Sequence, residues 1–160
     1  GFIKKKTKSK WGSIVGKRFA LKLAAFGLIV LLSACQSIES ETLALLDEEI
    51  AEIRLTESKG MQIIGEEDAE TLFAFTDPKD IAVLKKVLTT AVLHEQFIPP
   101  GDPEFHLYVH YEEDLPVHAF HLWLGNDEEQ SLIMYMIDET EKIYVVSDEM
   151  SKQLRSFIQE

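Results

Sequence analysis

Residues 105–124, FHLYVHYEEDLPVHAFHLWL, contain the pattern that decides the fold. Two apolar segments, Phe105–Tyr111 and Val117–Leu124, flank a short stretch that begins with three acidic residues. Alternation of apolar and polar side chains is typical of a half-buried β-strand. Strands joined by so short a polar connection pair in antiparallel fashion. The stretch therefore predicts a β-hairpin in an antiparallel sheet.

Further strands are predicted on both sides of this hairpin. They are Leu72–Thr76, Ser131–Asp138 and Ile143–Ser147. Ile50–Thr56 alternates as a strand would, but the apolar spacing from Leu43 to Ile53 also fits a helix, and periodicity alone leaves residues 43–53 open between the two. With this segment counted as a strand, we expect a sheet of about five to six strands.

Two amphipathic helices complete the predicted fold. Asp77 is a suitable N-cap and Pro78 suits the first helical position. The apolar stripe of this helix is Ile81, Leu84, Leu88, Ala91 and Val92. The second helix begins near Asp148, and its apolar side chains are Met150, Leu154, Phe157 and Ile158. Hairpin-linked strands flanked by such helices indicate an α+β fold with both helices packed on one face of the sheet.

The segment 1–34 has the layout of a lipoprotein signal peptide. Eight Lys and Arg residues precede an uncharged stretch, 23–34, and the only cysteine, Cys35, follows directly. Cleavage between Ala34 and Cys35 would leave this cysteine to carry a diacylglyceryl group. Twelve apolar residues are fewer than the roughly 20 that span a bilayer. The alternative is an ordinary signal peptide or a short signal anchor, with Cys35 in place by coincidence.

Lipidation of Cys35 predicts the compartment. Two acyl chains anchor a protein stably, so we expect attachment to the cell membrane on its extracytoplasmic side. Residues 35–49 would form the tether and residues 50–160 the domain. All 28 acidic residues but only eight of the 16 Lys and Arg residues follow the leader, a formal charge of −20. This surface excludes nucleic acid as a partner, because its recognition starts from basic patches.

No catalytic residue, metal site or cofactor is predicted. His94 and Glu95 begin the zinc-protease pattern H-E-x-x-H, but Ile98 stands where the second histidine is needed. His106 and His110 share a strand face at a separation of ~13 Å, too far for one metal ion. A pair of histidines from neighbouring strands stays open, but two ligands do not make a specific zinc site.

Strand alternation also predicts an outward aromatic face. If Phe105 and Leu107 face the helices, Tyr108 faces away, and the same argument applies to the later strands, with Leu132, Met134, Ile143 and Val145 expected inside. The candidate binding face is then Tyr108, His121, Trp123, Tyr135 and Tyr144. Exposed aromatic patches often mark interaction sites. The alternative is that this face is covered, or that the alternation is inverted on one strand.

Several local strings resemble a known family. They are IAEIRLTES at 50–58, Asp77–Ala91, HLWL at 121–124 and MYMIDETEKIYVVS at 134–147. Together they resemble the YhfM-like domain of small lipoproteins from Gram-positive bacilli, over about residues 50–158. The resemblance implies a fold and a compartment. It supplies no functional residues, since no activity is assigned to that family.

These observations favour a non-catalytic domain that binds or modulates an envelope protein or peptide. One alternative is a cell-envelope hydrolase whose carboxylates converge only in the fold. Another is a structural spacer or folding accessory, which a polar or covered outer face would favour.

Overall fold

The computed structural model describes residues 40–62, 65–66, 69–137 and 140–159. The chain divides into two units, residues 1–39 and 40–160, and the fold below is that of the second. The leader, the cleavage position Ala34–Cys35 and the first part of the tether therefore lie outside the described residues. Within the described ranges, no helix has the length and apolar character needed to cross a membrane.

The domain contains seven strands and two helices, an α+β composition. In chain order they are β1 (Ile50–Glu57), β2 (Thr71–Phe75), α1 (Pro78–Thr89), β3 (Val92–Leu93), β4 (Phe105–Tyr111), β5 (His118–Trp123), β6 (Leu132–Tyr135), β7 (Ile143–Val145) and α2 (Asp148–Ile158). The strands form one sheet in the order β2-β1-β4-β5-β6-β7-β3. All neighbouring strands are antiparallel.

The number of strands is higher than the five to six expected from the sequence. The additional strand is β3, which follows α1 directly and pairs with β7 through Val92 and Val145. Val92 continues the apolar spacing of the preceding helix, so the sequence pattern assigns it to the helical stripe. Residues 50–57 form a strand, which decides the alternative left open for 50–53, whereas residues 43–49 lie in neither a helix nor a strand.

Both helices begin at side-chain caps. Asp77 accepts a hydrogen bond from the Lys79 amide, and Pro78 occupies the first turn of α1. Ser147 caps α2 by accepting from the Met150 amide. An N-cap of this kind satisfies one of the free amides at the helix start and typically contributes ~1 kcal/mol.

The main apolar core lies against one side of the sheet, called here the core face. Its central side chains are Ile53, Leu55, Leu107, Val109, Phe120, Leu122 and Ile133. Buried residues of both helices belong to the same cluster, among them Leu84, Leu88, Met150 and Leu154. Burial of apolar surface contributes about 25 cal/mol per Å² to the free energy of folding, so such a cluster is the main source of stability.

Residues 41–46, predicted as tether, contribute to the folded domain. Leu43 is buried in the core cluster, and its amide donates to the Ala91 carbonyl at 3.0 Å. The Leu93 amide donates to the Glu41 carbonyl at 2.7 Å, and Thr42 pairs with Val92 as an isolated bridge. The domain therefore begins near residue 40 rather than at residue 50.

Candidate functional site

The side of the sheet opposite the core face carries polar and aromatic side chains. We call it the second face and define it by Thr56, His106, Tyr108, His121, Trp123, Leu132, Met134 and Ile143. Register places His106 beside Thr56 on one neighbouring strand and beside His121 on the other. His121 in turn lies opposite Met134. Four strands thus contribute to one continuous row.

The predicted alternation is correct on β4 and β5 and wrong on the next two strands. Trp123 lies directly opposite Leu132, so Leu132 and Met134 share its face and form a small apolar cluster with it. Tyr135 and Tyr144 instead pack with the core face. Residues 132–137 are apolar at both parities, so the pattern did not determine which side chains face the helices.

The second face is covered, which corrects the prediction of an exposed aromatic patch. Tyr108, His121 and Trp123 are each 3% exposed or less. The Trp123 indole N–H donates to the Gly101 carbonyl at 3.0 Å, so the loop after β3 lies against this face. Gly60, in the connection after β1, contacts it through His106.

Two histidines from neighbouring strands meet at the centre of this face. The ring centroids of His106 and His121 are 5.1 Å apart, and both side chains are buried. His106 Nε2 lies 3.2 Å from both the Gly60 carbonyl and Ser58 Oγ. Because a carbonyl only accepts, Nε2 carries the hydrogen, and Nδ1 of the neutral ring is unprotonated. Within the described ranges, Nδ1 of neither histidine has a hydrogen-bond partner.

Burial keeps this pair neutral. Desolvation, with a smaller contribution from the neighbouring His106, lowers the pKa of His121 to about 4. Desolvation also lowers the pKa of His106, although its bond to Gly60 opposes this shift. The pair supplies two nitrogen donors, fewer than the four ligands of a structural zinc site. No group of three metal-binding side chains occurs among the described residues.

An ion-pair network forms the polar end of the second face. Glu66 Oε1 lies 2.8 Å from both Arg54 Nη1 and His110 Nε2. Arg54 also pairs with Glu52 at 2.9 Å, and this hydrogen bond is the main reason that the pKa of Arg54 is raised. All four side chains are partly exposed, so the network contributes little stability. Its geometry holds the connection after β1 against the sheet.

A pocket of about 610 Å³ opens at the other end of the second face. We call it the Trp123 pocket. Its lining residues are Phe97, Ile98, Pro100, Asp102, Glu104, Trp123, Gly125, Glu128, Glu129, Gln130, Leu132 and Asp148. Trp123 and Leu132 are almost fully buried and form the floor, whereas Phe97 and Ile98 are 41% and 85% exposed. Pockets of about 300–1,000 Å³ are the usual size for small-molecule sites.

The loops around this pocket are fixed by hydrogen bonds to two of its carboxylates. Glu104 Oε2 accepts from the Leu124 amide at 3.1 Å. Glu129 Oε2 accepts from the Asn126 amide at 3.0 Å. Behind the loop, the buried Arg155 guanidinium donates to the carbonyls of Leu124 and Glu129 at 3.1 and 3.0 Å. These hydrogen bonds within the protein hold the pocket walls in place.

Comparison with known proteins identifies the family over most of the domain. A family model described as YhfM protein matches residues 56–160. This chain belongs to the YhfM protein family. Neither the curated proteins nor the solved structures give a match. The YhfM match begins at Thr56, so it includes the eight residues that define the second face and the Trp123 pocket but only the end of β1.

Of the five residues predicted as a binding face, only Trp123 lines the YhfM domain's pocket. Tyr108 and His121 lie on the same face but are buried away from solvent, and Tyr135 and Tyr144 lie on the core face. The exposed pair Phe97 and Ile98 was not predicted. The signal for it was present in the sequence, since two large apolar residues precede the Pro-Pro-Gly turn in a polar loop.

Proposed function

We propose that this YhfM protein is a lipid-anchored lipoprotein of the extracytoplasmic membrane surface, whose domain binds a ligand in the Trp123 pocket. The observation that carries the binding role is the concave pocket itself, with an exposed apolar wall at Phe97 and Ile98. Large exposed apolar side chains gathered at a cavity are typical of ligand sites. The lipobox at 32–35 supports the anchoring role.

The pocket is preorganised for binding. Trp123 is fixed by its bond to Gly101, and Glu129 fixes the turn that begins at Gly125. Gly125 has a φ of +68°, and a Cβ there would meet the Glu129 side chain at 3.1 Å. A site whose walls are already ordered loses little conformational entropy on binding.

We also infer that α1 and α2 both cover the core face, which leaves the Trp123 pocket at the end of the second face for ligand. Leu84, Val87 and Leu88 of α1 and Met150 and Leu154 of α2 support this arrangement, because they belong to one apolar cluster with the sheet residues of that face.

The anchoring role predicts that Cys35→Ala abolishes acylation, because the thiol is the acceptor and the chain has one cysteine. Metabolic labelling with an alkyne fatty acid should mark the wild-type protein and leave the variant unlabelled, with uncleaved precursor or release into the medium. Ser33→Ala, which keeps a small residue, should still be labelled. Equal labelling of Cys35→Ala would refute the anchoring role.

The binding role is testable in cells without knowing the ligand. A benzophenone amino acid replaces Ile98 in the pocket or, as the matched control, Ile137. Both isoleucines are exposed, at 85% and 79%, and only Ile98 lines the pocket. Illumination should give a discrete adduct at position 98 and none at position 137. An adduct of equal yield at both positions, or no adduct at either position, would contradict a binding role for this pocket.

A further inference from the structure

We propose that the Trp123 pocket selects a small organic cation, a molecule with an apolar body and an ammonium or guanidinium group. This inference rests on the binding role proposed above, because it assigns the class of ligand to the same pocket. It follows from two independent properties of the lining, its charge and its apolar surface.

The charged residues of the lining are all acidic. Five of the twelve lining residues are acidic and none of them is basic: Asp102, Glu104, Glu128, Glu129 and Asp148. Within the described part of the chain, no ion pair is formed by Asp102, Glu128 or Asp148. These carboxylates are exposed, and a cation placed among them is attracted to each one without having to displace a basic partner.

The nearest basic side chains do not cancel this charge inside the pocket. Arg155 and Lys152 line a neighbouring depression together with Asp127, Glu128, Glu129 and Asp148. The Arg155 guanidinium is already used by two backbone carbonyls, and its Nε lies 3.7 Å from Asp127. Lys152 is exposed on α2. The pocket therefore keeps an excess of carboxylates on its open side.

The apolar surface of the pocket would contact the apolar body of the ligand. Phe97 and Ile98 present exposed side chains, and Trp123 and Leu132 lie beneath them. Because the indole N–H is engaged by Gly101, what Trp123 offers a ligand is apolar and π surface. Aromatic rings attract ammonium and guanidinium groups within about 6 Å of the centroid. Carboxylates beside an aromatic floor thus suit an amphipathic cation and disfavour an anion.

Three probes of similar size and different charge test this inference. They are arginyl-phenylalanine amide, acetyl-glutaminyl-phenylalanine amide and acetyl-glutamyl-phenylalanine. The protein is the full chain in nonionic detergent with Trp11→Phe, which leaves Trp123 as its one tryptophan. Fluorescence and calorimetric titration should give saturable binding of the cationic probe at least tenfold tighter than the neutral one. Binding of the cationic probe should weaken with salt, as screened charges require.

Two variants test which carboxylates attract the cationic probe. Asp102→Asn and Glu128→Gln should each weaken the cationic probe several-fold, and neither carboxylate has an ion pair to lose in the described structure. Glu70→Gln is the matched control, because Glu70 is exposed and precedes the edge strand β2, three strands away from β5. It should leave the affinity unchanged.

The outcomes separate the ligand class from the binding role. If the neutral or the anionic probe binds as tightly as the cationic one, the assignment of a cationic ligand is overturned, although the pocket still binds a ligand. No saturable binding of the cationic probe, or equal loss in Glu70→Gln, overturns it as well. The binding role itself is decided by the adduct at position 98.

Discussion

The two faces of strand β5 differ in chemistry although their residues alternate along one chain. Phe120 and Leu122 are fully buried and pack into the large apolar cluster that includes both helices. His121 and Trp123 are also buried, but His121 lies beside His106 and Trp123 lies under the loop that carries Gly101. The core face buries mainly apolar surface, whereas the second face, beside its small apolar cluster, also buries groups that must be hydrogen-bonded or kept neutral. We conclude that apolar burial stabilises the fold mainly on the core face, whereas the second face opens to solvent at the Trp123 pocket.

The largest expected effect is on the core face. Phe120→Ala should lower the free energy of unfolding by about 3–5 kcal/mol, as removal of a fully buried aromatic ring does. His121→Ala is the matched variant one residue along and equally buried. This variant should lower the free energy of unfolding by less than Phe120→Ala does, because it also removes a polar nitrogen that has no partner in the described structure. Urea unfolding measures both, and equal losses would contradict the contrast between the faces.

A smaller effect is expected from acid. The folded state holds the pKa of His121 at about 4, against about 6.5 in an unfolded chain. Its neutral form is favoured by folding, so its contribution is complete above pH 6.5 and is lost as the pH falls toward 4. The loss is roughly 3 kcal/mol, since one pKa unit corresponds to 1.36 kcal/mol.

Urea unfolding at pH 7, 5.5 and 4.5 measures this dependence. His121→Asn should show a flatter dependence on pH than the wild type. His94→Gln, which changes an exposed histidine outside the pair, should follow the wild type. An unchanged slope in His121→Asn would show that the buried pair does not resist protonation.

The smallest effect on stability is expected at the pocket. Trp123→Phe keeps an aromatic floor but removes the N–H that donates to Gly101. Gly101 is exposed, so its carbonyl can bond to water instead, and the loss should be about 1 kcal/mol. The same variant should weaken binding of the cationic probe, because the loop that carries Ile98 loses an attachment. A loss above 3 kcal/mol would place Trp123 with the core face in energetic terms.

The sequence predicts much of the fold for physical reasons that can be named. Asp77-Pro78 marks the start of α1, and the regular alternation of Phe105–Tyr111 assigns β4 to the correct faces. The alternation fails in β6, where both parities are apolar, and β3 is too short to leave a pattern. That failure is the reason that Tyr135 was predicted on the binding face although it packs on the core face.

The pocket could not be predicted from the sequence, and the reason is a different one. Trp123 was singled out by its alternation, but Ile98, Asp102 and Glu128 come from loops on either side of β4 and β5. Spacing along the chain does not bring such loops together. Only the register of the hairpin and the bond from the indole to Gly101 do so.

The most direct test of the central claim is an NMR titration of the isotope-labelled protein with arginyl-phenylalanine amide. The account predicts that the Trp123 indole N–H resonance and the amides of Phe97, Ile98, Gly101, Asp102 and residues 125–130 shift together and saturate, while the amides of α1 stay in place. Shifts centred on α1, or an indole resonance unmoved at saturating probe, would contradict it.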